Sequence, residues 1–408
     1  MKSTFFAFLM FFGLSVFAQP IINKQLLTSE YLKQYAIDFK LDDKSSEGYK
    51  LMESLVAEHD YLVLGEFHFS ENIQLLCKEF LQLGTQYGYT DFIQENGRYT
   101  SQFMNEMMVN SSNIEETIGT YIRKNRNTVS YGDGKSEQFY PIPFFNSKQE
   151  MWVLEELKKN YRNIGLDQEF CFSTRMFVER LSKIKKTPQK LLDSIYARIE
   201  SYERKSCLSD FNMYKALYED TLINNYFANA KIQGWDKIYA TWKESMGIYF
   251  GRSRHWRRVN LIRRNFIEQM QERVDTIPDL KFIVKFGAVH TPKGLTNFGC
   301  YDIGDLVCET AKQKNKKSIH ITCARRYCIE DGKCVDELKG QENNPEFVFD
   351  RLGQKDNWVI LDLRKVREDY ENNKFVLPEG FDYHNLKLMM EQQDILILLP
   401  MDRELVDF

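Results

Sequence analysis

The stretch that most constrains this chain runs from Asp60 to Arg98, DYLVLGEFHFSENIQLLCKEFLQLGTQYGYTDFIQENGR. Tyr61-Leu62-Val63-Leu64 is an apolar run of strand length that stops at Gly65, with Glu66 and His68 directly behind it. Ile73, Leu75, Leu76, Phe80, Leu81 and Leu83 then recur at roughly helical spacing. A second short strand, Asp91 to Gln94, ends on Glu95. Strand, helix and strand in so short a span form one βαβ unit, which makes the two strands parallel. In parallel α/β sheets ligands sit at the carboxyl ends of the strands. Glu66, His68 and Glu95 all fall at such ends, so two carboxylates and an imidazole share the rim where these folds do chemistry.

The rest of the chain extends the same pattern. Asn163-Ile164-Gly165-Leu166 reads as a third strand ending on Asp167. Lys281 to Phe286, KFIVKF, reads as another, followed at once by Gly287-Ala288-Val289-His290. Ser318 to Thr322, Trp358 to Leu363 and Asp394 to Leu399 complete the set. Residues from about 173 to 275 carry no strand signal and read as a helical insertion that caps the sheet rim. The expected fold class is α/β, with a mainly parallel central sheet flanked by helices. Gly251 to Arg264, GRSRHWRRVNLIRR, is rich in Arg around His255 and Trp256. It is either a solvated helix face or a cationic wall suited to an anionic ligand.

Composition bounds the partners. The 408 residues are 43% hydrophobic and 28% charged with a formal net charge of −3, which gives no electrostatic case for nucleic acid. Residues 1–18, MKSTFFAFLMFFGLSVFA, have Lys2, an apolar core, and Val16 and Ala18 in cleavage-site positions. This reads as a secretory signal peptide cut after Ala18. The mature chain, 19–408, is then expected as one secreted or periplasmic domain without a stable membrane anchor. Export permits disulfides. Cys328 and Cys334 flank Asp331-Gly332, a hairpin turn signal, and are the expected pair. A zinc site of Cys323, Cys328 and Cys334 has poorer spacing.

None of the six His lies in HExxH or another close metal pair. His68 and His290 both follow buried-looking strands at Gly-containing turns. Together with Glu66, Glu95 and Asp167 they form a rim of charge that is costly unless paired or ligated. Such a set supports general acid–base hydrolysis. It could equally hold a divalent metal through Glu66, His68 and His290. GxSxG, Walker A and GxGxxG motifs are all missing. Arg98, Asp167, His255 and Arg258 are the candidate substrate-binding residues.

Several segments in chain order carry a family resemblance. They are GEFH (65–68), FIQENGR (92–98), IGLD (164–167), RRNFIEQM (263–270), GAVH (287–290) and DILILLP (394–400) preceded by FDYH. Together they resemble the erythromycin esterase-like superfamily, which includes erythromycin esterases, ChaN-like haem-binding lipoproteins and Tiki/TraB-type proteins. By that resemblance Glu66, His68 and Glu95 correspond to the esterase's site acids and imidazole, and His290 to its downstream His. The chain departs from the esterases in its shorter Gly65–His68 turn and in having Gly287 three residues before the downstream His. The resemblance implies an exported hydrolase acting on an ester or amide of a small-molecule or peptide substrate. The alternative it implies is a non-catalytic binding protein for haem, iron or another anionic ligand.

Overall fold

The computed structural model describes residues 25–130, 136–204, 212–341, 344–377 and 383–405. Residues 1–18 and Cys207 lie outside the described residues. The central sheet has eight strands: β1 Ala36–Phe39, β2 Tyr61–Glu66, β3 Asp91–Gly97, β4 Arg162–Asp167, β5 Phe282–Gly287, β6 Ser318–Arg325, β7 Trp358–Asp362 and β8 Ile395–Leu399. Their order across the sheet is β1-β7-β8-β6-β2-β5-β3-β4. All neighbours from β8 through β4 are parallel, and only β7 runs against its neighbours. The α/β class with a mainly parallel sheet is therefore observed.

The strand order differs from the simplest reading of the first βαβ unit. β2 and β3 are parallel but not adjacent, because β5 lies between them. It pairs Gly287 with Glu66 on one side and Lys285 with Gln94 on the other. The chain thus leaves β2 in one direction, returns to fill the gap with β5, and crosses to β6 on the far side of β2. That change of direction puts a crevice at the carboxyl ends of β2, β5 and β3.

The sheet is covered on both faces, and its central strands are correspondingly rich in apolar residues. In β2, Leu62 and Leu64 pack into one core and Tyr61 and Val63 into the other, as the two-residue strand period requires. Helices α1 Glu47–Glu58, α2 Glu71–Gln86, α3 Arg98–Val109 and α4 Lys148–Asn160 contribute to the first core. Between β4 and β5 the described residues are almost wholly helical: α5 Thr174–Lys185, α6 Gln189–Glu203, α7 Asn212–Glu219, α8 Thr221–Ala228, α9 Trp235–Tyr249 and α10 Arg254–Thr276. α10 and α11, Ile303–Gln313, cover the second face of the sheet through Ile262, Phe266, Met270, Ile303 and Val307. No helix among the described residues is long and apolar enough to cross a membrane.

The turn from β3 into α3 shows how sequence sets backbone at the rim. α3 begins without a side-chain cap of its own. Glu169, from beyond β4, accepts from the Tyr99 and Thr100 N–H groups instead. A Cβ at Gly97 would stand 2.1 Å from that carboxylate, so the position needs glycine.

The Asp331-Gly332 turn forms the expected hairpin, between Tyr327–Glu330 and Lys333–Asp336, with both turn residues at positive φ. The expected Cys328–Cys334 disulfide is not formed. The register pairs Cys334 with Ile329 and Cys328 with Val335. A one-residue offset puts the two side chains on opposite faces. Both are free thiols, Cys328 buried and Cys334 exposed.

Candidate active site

The site starts from register. Leu64 on β2 pairs with Lys285 on β5, and Glu66 lies two residues on, on the same face. Lys285 Nζ therefore reaches Glu66 Oε2 at 2.5 Å, with both side chains buried. Burial pushes the Glu66 carboxyl up, but Lys285 and His68 outweigh it and hold it below the usual range. Burial likewise pulls the Lys285 ammonium down, and Glu66 more than restores it.

His68 stands just beyond. Its Nδ1 is 3.3 Å from Glu66 Oε1. Its ring stacks on Phe144 with centroids 4.5 Å apart. The side chain is 32% exposed, the most open of the acids and imidazoles at this rim. Burial lowers the His68 pKa, but the Glu66 hydrogen bond and the Glu95 and Glu66 charges raise it above 6.5 overall.

Glu95 is the hub. A bulge between Gln94 and Gly97 breaks the β3–β4 register beside it and re-aims the strand end. Glu95 Oε2 accepts from the Gly287 N–H at 2.6 Å, and Oε1 accepts from the Arg258 guanidinium. His290 Nε2 lies 3.7 Å from Oε1 and His68 Nε2 lies 4.0 Å from Oε2. Burial would raise the Glu95 pKa, yet Arg258 and the two imidazoles bring it down to about 2. Arg258 also forks onto Asp167, with Nε to Oδ1 at 3.0 Å and Nη2 to Oδ2 at 2.6 Å. His290 is almost fully buried, and its Nδ1 faces Asp302 Oδ2 at 2.7 Å. Burial lowers the His290 pKa, but Asp302 and then Glu95 raise it above 6.5.

Beside this cluster opens a cavity of about 480 Å³. Glu95, Asp167, Arg258 and Glu404 are its charged lining, Gln138, Asn146 and Gln168 add polar groups, and the aromatic rings of Phe69, Phe139, Tyr140, Phe144, Phe170, Phe172 and Tyr249 form most of the remainder. Phe69 (φ 66°) and Phe144 (φ 61°) hold left-handed backbone on either side of His68. Bulky residues seldom adopt that conformation, which costs on the order of 1–3 kcal/mol and concentrates at functional sites.

The structure thus gathers Glu66, His68, Glu95, Asp167, Arg258 and His290. Arg98 is not among them. It sits at the start of α3 and pairs with Glu268 at 2.6 Å, away from the cavity wall. His255 lies behind His290, with ring centroids 5.8 Å apart, and does not line the cavity. The expected metal set of Glu66, His68 and His290 does not converge. Lys285 already holds Glu66, and Asp302 and Glu95 take up His290. For a haem, the cavity wall offers Tyr140 and Tyr249 but no His as iron ligand, and Arg258 is already paired with two carboxylates. Lys285 and Asp302 were missed from sequence. Lys285 had a signal, being the one charge inside an otherwise apolar strand.

No protein-family model matches the chain, and no curated protein matches it. Solved structures do. Erythromycin esterase EreC, as a mutant in its open conformation, superposes with a TM-score of 0.53 over 91% of this chain and 98% of its own, at 10% identity. A succinoglycan biosynthesis protein gives 0.52 over 92% and 97%, at 14% identity. ChaN of Campylobacter jejuni, with cofacially bound haem, gives 0.31 over 71% and 90% at 10% identity, too loose a superposition to support an argument. The chain has an erythromycin esterase-like fold. At these identities the likeness is one of fold alone, and chemistry must be read from the site.

Proposed function

We propose that this protein is a hydrolase in which His68 activates water for attack on an ester or amide carbonyl. One observation carries the reading: His68 has about a third of its side chain exposed (32%), stacks on Phe144 of the cavity wall, and is backed by a carboxylate fixed by its own ion pair. Glu66 binds Nδ1 and thereby leaves Nε2 as the basic atom. The 4.0 Å from Nε2 to Glu95 Oε2 is too long for a direct hydrogen bond and leaves Nε2 to a water or substrate hydroxyl. On proton uptake the imidazolium is stabilised by Glu66 and Glu95.

Glu95 itself is a poor base, because both its oxygens are occupied and it stays ionised. Its role is to position Arg258 and the two imidazoles. With Arg258 Nε and Nη2 committed, Nη1 is the donor left to stabilise a developing oxyanion. His290 and Asp302, buried behind Glu95, supply a fixed dyad that holds the hub in place. The aromatic wall favours a small molecule or peptide side group with an apolar body next to the scissile bond. The leader-like residues 1–18 support an exported enzyme whose substrate lies outside the cytoplasm.

The test is a panel of aryl and alkyl esters, lactones and amides assayed with the wild type and His68→Ala. The expected result is turnover that falls by about 100-fold or more in the variant, the scale of a lost general base. Unchanged turnover in His68→Ala would overturn the assignment.

A further inference from the structure

Behind the site lies a second cluster, of which the hydrolase reading uses only Asp302, through its contact with His290. Among the described residues, His255, Cys300 and Asp302 offer one ligand atom each within 4.8 Å of one another. His255 comes from the first turn of α10. Cys300 and Asp302 come from the loop before α11, two residues apart. Gly299, at φ 71°, turns the chain to present Cys300. His255 Nε2 lies 3.3 Å from Cys300 Sγ. Zinc bonds of ~2.3 Å to sulfur and ~2.0 Å to nitrogen at a tetrahedral angle separate those ligand atoms by roughly 3.5 Å. Phe298 packs on the His255 ring, with centroids 4.4 Å apart, and holds it in place.

We propose that His255 Nε2, Cys300 Sγ and the Asp302 carboxylate bind a thiophilic divalent cation of the zinc class, with a fourth position open to water. The donor set is the mixed nitrogen, sulfur and oxygen set that such ions take. On binding, the Cys300 S–H bond breaks, sulfur coordinates as thiolate, and the proton leaves to solvent, with no redox change. Asp302 has lone pairs to spare. Its Oδ2 meets His290 Nδ1 at 2.7 Å and its Oδ1 accepts from the Ile303 N–H at 2.7 Å, one contact to each oxygen. The cation would therefore sit on the far side of the carboxylate that orients His290, a coupling through an outer-shell partner rather than a site of reaction.

The proposal does not depend on hydrolysis and is tested without substrate. Metal-stripped full-length protein is titrated with cobalt(II). The expected result is a thiolate-to-cobalt charge-transfer band that saturates at about one cobalt per chain. Cys300→Ala should abolish the band. His255→Ala, at a partly exposed position, should weaken binding by more than about 100-fold, since removing a ligand exceeds the loss from an outer-shell change. His68→Ala and Glu66→Gln should leave the band intact. Far-ultraviolet circular dichroism establishes that each variant is folded. Absence of the band in the wild type would overturn the site. So would a band that survives in folded Cys300→Ala and disappears in Cys334→Ser, or one that depends on His68.

Discussion

Lys285 Nζ and Glu66 Oε2 lie 2.5 Å apart on neighbouring parallel strands, both buried beneath the imidazole of His68. The pair explains how an acid can stay ionised behind a base at a covered sheet edge. Arg258 does the same for Glu95 and Asp167. The rim therefore brings its own cations, and each carboxylate has a specific partner.

Lys285→Met strands Glu66 in the core. Breaking a buried pair by removing one partner costs about 3–5 kcal/mol. The pH dependence should also change. In the wild type the Glu66 pKa is depressed, so its contribution is present above the unfolded value of about 4.3 and lost as pH falls through the folded pKa. Without Lys285, burial raises the Glu66 pKa above the unfolded value, and stability then falls as pH rises. Urea unfolding at neutral pH and near pH ~4 checks this. The deficit relative to wild type should shrink at the acid pH.

Arg258 and Arg98 give a contrast. Arg258→Leu leaves two buried carboxylates facing each other and should lower stability by about 3–5 kcal/mol. Arg258→Lys should recover only part of this, because an ammonium cannot reproduce the fork onto Asp167. Arg98→Ala breaks a partly exposed pair with Glu268 and should change stability by only about 0–1 kcal/mol, with turnover unaffected. Thermal and urea unfolding of the three variants decides the order.

Gly287→Ala probes the spacing at the hub. The added Cβ would stand 3.3 Å from both Glu95 Oε2 and His68 Nε2. One of the two must move by a few tenths of an ångström. The strand core beneath is untouched, so the unfolding midpoint should stay near wild type. Turnover should fall by about tenfold, since small misplacements at reacting groups are expensive.

His320 gives a stability switch that takes no part in the proposed chemistry. It is fully buried on β6, with Nδ1 bonded to the Thr291 carbonyl at 2.8 Å, and burial brings its pKa down to about 4. The unfolded chain binds the proton near pH ~6.5, so the folded state loses stability as pH drops from there toward about 4. The loss amounts to as much as about 3 kcal/mol. His320→Gln should flatten the stability profile over that range, as measured by urea unfolding at a series of pH values.

Some of this was readable from residues alone. Glu66, His68, Glu95, Asp167 and His290 announce themselves because each follows an apolar strand, and strand ends in a parallel sheet converge. The insertion of β5 between β2 and β3 could not be read, since strand order is set by packing across the sheet and leaves no local pattern. Without that order Lys285 had no visible partner, although a lysine inside KFIVKF already called for one. Arg98 is close to Glu95 in sequence, but the turn into α3 sends its side chain to Glu268. The Cys328–Cys334 pairing failed for a similar reason. The turn type was correct, while the register that decides which side chains face each other placed them one residue apart.

The central claim is that His68, tuned by Glu66, is the base. The pH dependence of kcat/KM tests it most directly, measured on the best substrate of the panel for the wild type and for Glu66→Gln. The wild type should lose activity below an apparent pKa above 6.5, because the neighbouring carboxylates favour the imidazolium. Removing the Glu66 charge should move that limb to lower pH while lowering the plateau. An acid limb that stays in place in Glu66→Gln would contradict the account.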